Sequence, residues 1–171
     1  MKKKVLISLL LVIIWMIFIF VMSSMDSNES NGKSVDLSVG VITTVDKITK
    51  ASDEKVKAHQ EESFIDKVNI IIRKSSHAVE YFILGFLILN LFFQMGKYQF
   101  TFGMLSILIS FLYACTDEYH QTFVIGRTGQ FIDVIIDTIG AILGCIIFYL
   151  VHKLVVKLKK KGLFNKYIAG K

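Results

Sequence analysis

Proline is absent from the 171 residues of this chain, and cysteine occurs only twice. Both cysteines, Cys115 and Cys145, fall within apolar runs, and neither belongs to a C-x-x-C sequence. Metal-binding cysteines are expected in such pairs, and a disulfide framework places its cysteines in polar loops. We therefore expect both thiols to be free and buried, as unpaired cysteine usually is.

Apolar residues, by contrast, are unusually abundant. They make up 53% of the chain, and the mean hydropathy is +0.57. This composition is too apolar for an ordinary soluble protein. Because the length suffices for one domain and no internal repeat or heptad is visible, residues 1–171 are predicted to form a single membrane domain.

Four apolar runs approach the ~20 residues that a membrane-spanning helix needs. They cover residues 5–22, 78–95, 100–116 and 134–151, and the third is short enough that we expect it to extend into its flanks. The first run follows three lysines, as in a signal peptide. It is longer than the ~7–15 apolar residues of a signal peptide and lacks a small-x-small cleavage site, which favours an uncleaved helix. The predicted fold is an all-α membrane protein with four transmembrane helices.

Charge is divided unequally between the two sides of this topology. Residues 1–4, 96–99 and 152–171 contain eleven lysines and no acidic residue, whereas the other nine basic residues and all 14 acidic residues lie between 23 and 137. Lysine-rich loops stay in the cytoplasm. Both termini are therefore predicted to be cytoplasmic, with residues 23–75 extracytoplasmic. The net charge of +6 indicates contact with anionic lipid, and no nucleic-acid partner is expected.

The polar segment 23–75 contains two groups of apolar residues at helical spacing. They are Val35, Val39, Ile42, Val45 and Ile48, followed by Phe64, Val68 and Ile71. This pattern predicts two amphipathic helices that lie on the membrane or cap the helix bundle. A partly disordered loop is the alternative.

Polar and ionisable residues gather at the predicted outer ends of the last three spans. They are Lys74, His77, Glu80, Tyr81, Asp117, Glu118, Gln121, Arg127, Asp133 and Asp137. A charge at bilayer depth costs about 2.5–3.5 kcal/mol even on the lenient insertion scale, so such residues usually serve a function. These ten residues are the candidate functional site.

Helical spacing places two of these carboxylates on a face made for packing. Asp133, Asp137, Gly140 and Gly144 are separated by four, three and four residues, so they share one side of the fourth span. The pair Gly140-x-x-x-Gly144 permits close approach between membrane helices. A packed bundle with a polar pocket at its outer end is predicted. The structural alternative is that Arg127 and Lys74 only neutralise the carboxylates.

Several chemistries fit this set of residues. A histidine beside carboxylates can bind a divalent metal or form an acid–base pair. Arg127, between Gly126 and Gly129, could grip a phosphate or carboxylate bidentately. The sequence contains no H-E-x-x-H or H-x-x-x-H motif and no recognisable nucleophile turn. Catalytic residues, metal and cofactor therefore remain unassigned.

Three motifs together resemble the VanZ-like membrane protein family. They are Lys74-x-x-His77-x-x-x-Tyr81-x-x-Leu84-Gly85, Asp117-Glu118-x-x-Gln121-x-x-x-x-Gly126-Arg127, and Asp133-x-x-x-Asp137-x-x-Gly140. The resemblance covers nearly the whole chain and is weakest from 27 to 68. Family members often carry proline where this chain has Ile125, and asparagine where it has Asp137. The first departure should leave the loop more mobile, and the second adds an ionisable group.

The resemblance implies a multi-pass protein of the cell membrane and envelope, linked to resistance to the glycopeptide teicoplanin. The leading hypothesis is that the outer site binds an anionic cell-wall precursor or a lipid headgroup. One alternative is a membrane-embedded hydrolase or transferase that uses His77 and Glu118 as acid and base on a lipid-linked substrate. Another is a small proton- or ion-coupled transporter using Asp137 and Glu80, for which four spans are few unless the chain forms a homo-oligomer. A structural or partner-binding role also stays open.

Overall fold

A computed structural model describes residues 3–24, 57–97, 100–125, 127 and 129–160, with side chains described from residue 70 in the second range and to residue 159 in the last. All the regular secondary structure in these ranges is α-helical. The helices are α1 (Lys3–Ser23), α2 (Lys57–Gln94), α3 (Phe100–Gln121) and α4 (Phe131–Lys160). The predicted all-α class is confirmed.

Each helix contains a stretch long and apolar enough to cross a membrane. These stretches are Lys3–Ser23, Ile70–Gln94, Phe100–Gln121 and Phe131–Lys159. The outward surface agrees with this, since large apolar side chains such as Ile14, Leu112 and Leu150 are more than half exposed. The described part of the chain therefore has four helices that could span a membrane, as expected of a multi-pass membrane protein. The orientation of its termini remains a prediction.

The second helix differs from the predicted span at 78–95, because it begins at Lys57. The amphipathic helix expected around Phe64 and Val68 is therefore continuous with the span and is not a separate element. No proline or glycine occurs between residues 57 and 84, so nothing in the sequence stops the helix there. The helix expected from Val35 to Ile48 lies outside the described residues. The third helix extends to Gln121, as its short apolar run led us to expect.

A tight turn follows α2. Gly96 has φ 78°, a left-handed conformation that glycine adopts without steric penalty. The backbone N–H of Gly96 donates to Phe93 O at 3.0 Å, and that of Lys97 donates to Phe92 O at 3.0 Å. These two bonds form a Schellman motif, which satisfies carbonyls left free at the helix end. The turn brings α3 back antiparallel beside α2.

Helices α2 and α4 are in backbone contact through three glycines. A β-carbon added at Gly140 would overlap the carbonyl oxygen of Ala78, and one added at Gly144 would overlap that of Phe82. Gly85 of α2 lies equally close to α4, against the carbonyl oxygen of Ala141. Small residues allow such close approach between membrane helices. This contact fixes the relative height of the polar residues on the two helices.

The first helix is attached to the others by hydrogen bonds as well as by apolar packing. The indole Nε1 of Trp15 donates to the Glu80 carbonyl oxygen at 2.8 Å, and the Tyr113 hydroxyl donates to Met16 O at 2.6 Å. Ile19 is fully buried within the same core. In hydrocarbon these bonds supply partners that water cannot. They hold α1 alongside the end of the bundle where the polar residues gather.

Candidate functional site: a polar pocket at one end of the bundle

A cavity of about 60 Å³ lies where α2, α3 and α4 meet the loop that joins the last two helices. It is lined by Arg73, Lys74, His77, Glu118, Gln121, Arg127, Asp133, Ile136 and Asp137. Seven of the ten candidate residues are in this lining. A cavity of this volume holds several water-sized groups. Its position at the ends of the helices puts it within reach of the membrane surface.

The other three candidates are not in the cavity lining; Tyr81 and Asp117 are buried and Glu80 is half-buried. Tyr81 is fully buried, and its ring lies 6.2 Å from that of Tyr113. Asp117 is 3% exposed, and its Oδ2 accepts a long hydrogen bond of 3.4 Å from Gln121 Nε2. Glu80 is close enough to interact electrostatically with Asp117 and Arg127. The structure therefore brings all ten candidates to one end of the bundle.

Helical spacing explains how each wall forms. On α2, Arg73 and His77 are four residues apart and so face the same side. On α4, Asp133 and Asp137 have the same separation and lie on the face that continues into Gly140 and Gly144. The close α2–α4 contact thus brings these two polar faces together.

Two contacts involve residues that line the pocket. Lys74 forms an ion pair with Asp133, joining α2 to α4. Glu118 Oε1 accepts a hydrogen bond of 2.5 Å from the backbone N–H of Gln130, which joins α3 to the start of α4. A β-carbon on Gly129 would lie 2.6 Å from Thr122 Cγ2 and 3.0 Å from the carbonyl oxygen of Glu118, so any other residue here would require the Thr122 side chain and the loop to shift. These contacts hold the loop over the cavity.

Arg127 comes from this loop and points inward. Its Nε and Nη1 atoms are buried and have no hydrogen-bond partner among the described residues. Burial, together with the nearby guanidinium of Arg73, lowers the pKa of Arg127, while Asp117 and Glu118 act in the opposite direction. Arginine nevertheless stays protonated at physiological pH. The pocket therefore contains a positive charge with unused donors.

Histidine and carboxylate do not form a tight pair here. His77 Nδ1 lies 3.8 Å from Glu80 Oε2, which is beyond hydrogen-bond distance, and neither atom has another partner among the described residues. Asp137 is 2% exposed, and its Oδ1 atom also has no hydrogen-bond partner among the described residues. Buried polar atoms normally have partners, so several unpartnered ones around one cavity point to a bound group or to water.

Arg73 is a pocket residue that the sequence analysis missed. The signal was present in the composition, because the chain has 20 basic residues and only Arg73 and Arg127 are arginines. Both line this one cavity. Arginine differs from lysine in its planar fork of donors, which suits phosphate and carboxylate groups. The position of Arg73, one of only two arginines and four residues before His77, therefore indicated that it belongs to the same pocket.

Within the described part of the chain, no three histidine, cysteine, aspartate or glutamate side chains are grouped so that they could hold a metal ion. The two cysteines are free and lie outside the pocket lining. Among the described residues, no set in the cavity therefore favours a particular metal or cofactor.

Over the described residues, fold and site together define a membrane protein with four helices and a polar pocket at one end. The family model described as VanZ/LLP1 matches residues 8–152, which is most of the chain. The protein belongs to the VanZ/LLP1 family, as its motifs led us to expect. Neither the curated proteins nor the solved structures gave a match.

Proposed function

We propose that this VanZ-family membrane protein binds the anionic group of an envelope lipid or cell-wall precursor in the polar pocket, and that this binding lowers susceptibility to the glycopeptide teicoplanin. The observation that carries the proposal is Arg127, which lines the cavity and whose buried Nε and Nη1 atoms have no hydrogen-bond partner in the part of the chain that the structure describes. A phosphate or carboxylate can accept two parallel hydrogen bonds from such a guanidinium.

The charges that already have partners support the same assignment. Lys74 is engaged with Asp133, and Glu118 Oε1 is engaged with the backbone of Gln130. Arg73 lies near enough to Arg127 to repel it. An anion between the two guanidinium groups would relieve this repulsion.

Size restricts the bound group. A cavity of about 60 Å³ admits one phosphate or carboxylate, and the remainder of the ligand must extend outside it. A terminal phosphate on a long apolar chain meets this requirement, since its chain can stay in the membrane. We therefore select a polyprenyl monophosphate as the probe and the polyprenol of the same length as its uncharged control.

Binding is tested with the full chain in detergent micelles. Wild type should bind the polyprenyl phosphate more tightly than the polyprenol. Arg127→Gln should raise the dissociation constant by about 10- to 100-fold, the range that corresponds to the loss of hydrogen bonds to a charged group. Lys159→Gln, at an exposed residue of the opposite end, should leave it unchanged. Equal binding by wild type and Arg127→Gln would mean that the polar pocket does not bind the phosphate.

The cellular part is tested by teicoplanin susceptibility of a sensitive Gram-positive host. The host carries an empty vector, the wild-type chain, or the Glu118→Ala/Arg127→Ala variant, with protein levels in the membrane matched. We expect only the wild type to raise resistance. If wild type and empty vector are equally susceptible, the teicoplanin link is wrong for this chain, although anion binding could still hold.

A further inference from the structure

A second cavity lies at the end of the bundle opposite the polar pocket. This groove, between the end of α2, the start of α3 and the middle of α4, has a volume of about 770 Å³. That is within the ~300–1,000 Å³ typical of small-molecule sites. Its walls are apolar, from Ile142 deep in the bundle to Lys97 and His152 at the rim. We name it the basic-end groove.

The length of the groove matches one leaflet of a membrane. Ile142 and His152 line its two ends and are ten residues apart on α4, which corresponds to about 15 Å along the helix. The hydrocarbon core of a bilayer is about 30 Å thick. The groove therefore extends from the level of the helix ends to about the middle of the membrane.

The lining of the groove has an unfilled position at Gly103. Gly103 of α3 lines the groove, and a β-carbon built on it would have no atom within 4 Å other than its immediate surroundings. Cys145 opposite is small and donates its thiol hydrogen to the Gly85 carbonyl oxygen at 3.5 Å, so it stays close to the helix contact. The space is consequently long and apolar, as an acyl chain requires.

The residues that line the rim include a lysine, Lys97, and a histidine, His152. Lys97 lines the groove, and its Nζ lies 5.6 Å from the centre of the Phe102 ring. His152 packs against the ring of Phe93 at 4.2 Å. The described charged residues at this end of the bundle are all lysines, among them Lys3, Lys153 and Lys157. Basic rims of this kind between membrane helices attract anionic headgroups.

We propose that the basic-end groove binds one acyl chain of an anionic phospholipid, whose phosphate lies against Lys97. A second copy of this chain is a poorer occupant, because the lysine-rich ends of two copies would then lie beside each other and repel. This site is separate from the polar pocket and does not depend on the function proposed for that pocket.

Native mass spectrometry of the full chain, released from detergent micelles, tests this inference. Phosphatidylglycerol and phosphatidylcholine with identical acyl chains are supplied together. Wild type should retain phosphatidylglycerol in preference. Lys97→Gln should lower that preference about fivefold, the contribution expected from one lysine near a lipid surface. Lys157→Gln, at an exposed lysine outside the lining, should leave the preference as it is.

The apolar part of the site is tested separately with Gly103→Leu, which should reduce retention of both lipids because its side chain would occupy the open space beside Gly103. Circular dichroism checks that Gly103→Leu keeps its helices. If Gly103→Leu loses them, the lipid preference of Lys97→Gln alone tests the proposal. Absence of preference in wild type, an unaltered preference in Lys97→Gln, or lipid-free dimers as the main species would overturn the proposal.

Discussion

The glycines between α2 and α4 provide a prediction whose size follows from the structure. In Gly144→Ala, the new methyl group would overlap the backbone carbonyl oxygen of Phe82. A backbone atom within a helix cannot turn aside as a side chain can, so the helices must separate. Overpacking of this kind costs about 1–3 kcal/mol. Gly140→Ala should cost a similar amount, because its methyl group would meet the carbonyl of Ala78.

Gly103→Ala is the matched control. It is the same substitution within a helix, but its methyl group would enter open space. Alanine favours a helix over glycine by about 0.8–1 kcal/mol, so this variant should be slightly more stable than wild type. Gly144→Ala should thus lower the free energy of unfolding, whereas Gly103→Ala should raise it.

Both are measured by reversible unfolding of the full chain in mixed micelles with increasing dodecyl sulfate, followed by circular dichroism. Equal effects of Gly144→Ala and Gly103→Ala on the free energy of unfolding would refute the close α2–α4 contact.

Three further predictions concern the pocket and the attachment of α1. Asp137→Asn should leave polyprenyl phosphate binding equal or tighter, since it removes a negative charge from the pocket; loss of binding would favour a role for a titrating carboxylate instead. Glu118→Ala should loosen the loop by leaving the Gln130 N–H unpaired, whereas Glu118→Gln keeps an acceptor. Hydrogen exchange of the Gln130 amide distinguishes these variants, and equal exchange would contradict the contact. Tyr113→Phe removes the bond to Met16 O and should lower the free energy of unfolding by about 1 kcal/mol in the dodecyl sulfate titration. No change there would mean that this bond does not hold α1.

Most of the fold was predictable because hydropathy directly reports the free energy of placing a helix in lipid. The four spans follow from this single property. The length of α2 does not follow from hydropathy, because an apolar run marks only the part of a helix that lies in hydrocarbon. The absence of proline and of glycine between 57 and 84 was the indication that the helix continues.

The site was predictable where residues sit on regular helices. Asp133 and Asp137, four residues apart, had to share a face, and the glycines beyond them indicated which face packs. Arg127 is different, because it belongs to a loop. Its inward direction depends on the Glu118–Gln130 bond and on the tight packing at Gly129. Such long-range contacts have no local sequence pattern.

The distance between the Arg127 guanidinium and a bound phosphate tests the central claim most directly. Arginine labelled with ¹⁵N marks only Arg73 and Arg127 in this chain. Solid-state NMR of the protein in vesicles with polyprenyl phosphate then measures ¹⁵N–³¹P dipolar coupling. A charge-assisted hydrogen bond predicts a nitrogen–phosphorus separation of about 4 Å or less, and coupling that weakens in Arg127→Lys. Absence of coupling in wild type, or coupling that survives in Arg127→Lys and disappears in Arg73→Lys, would contradict the account.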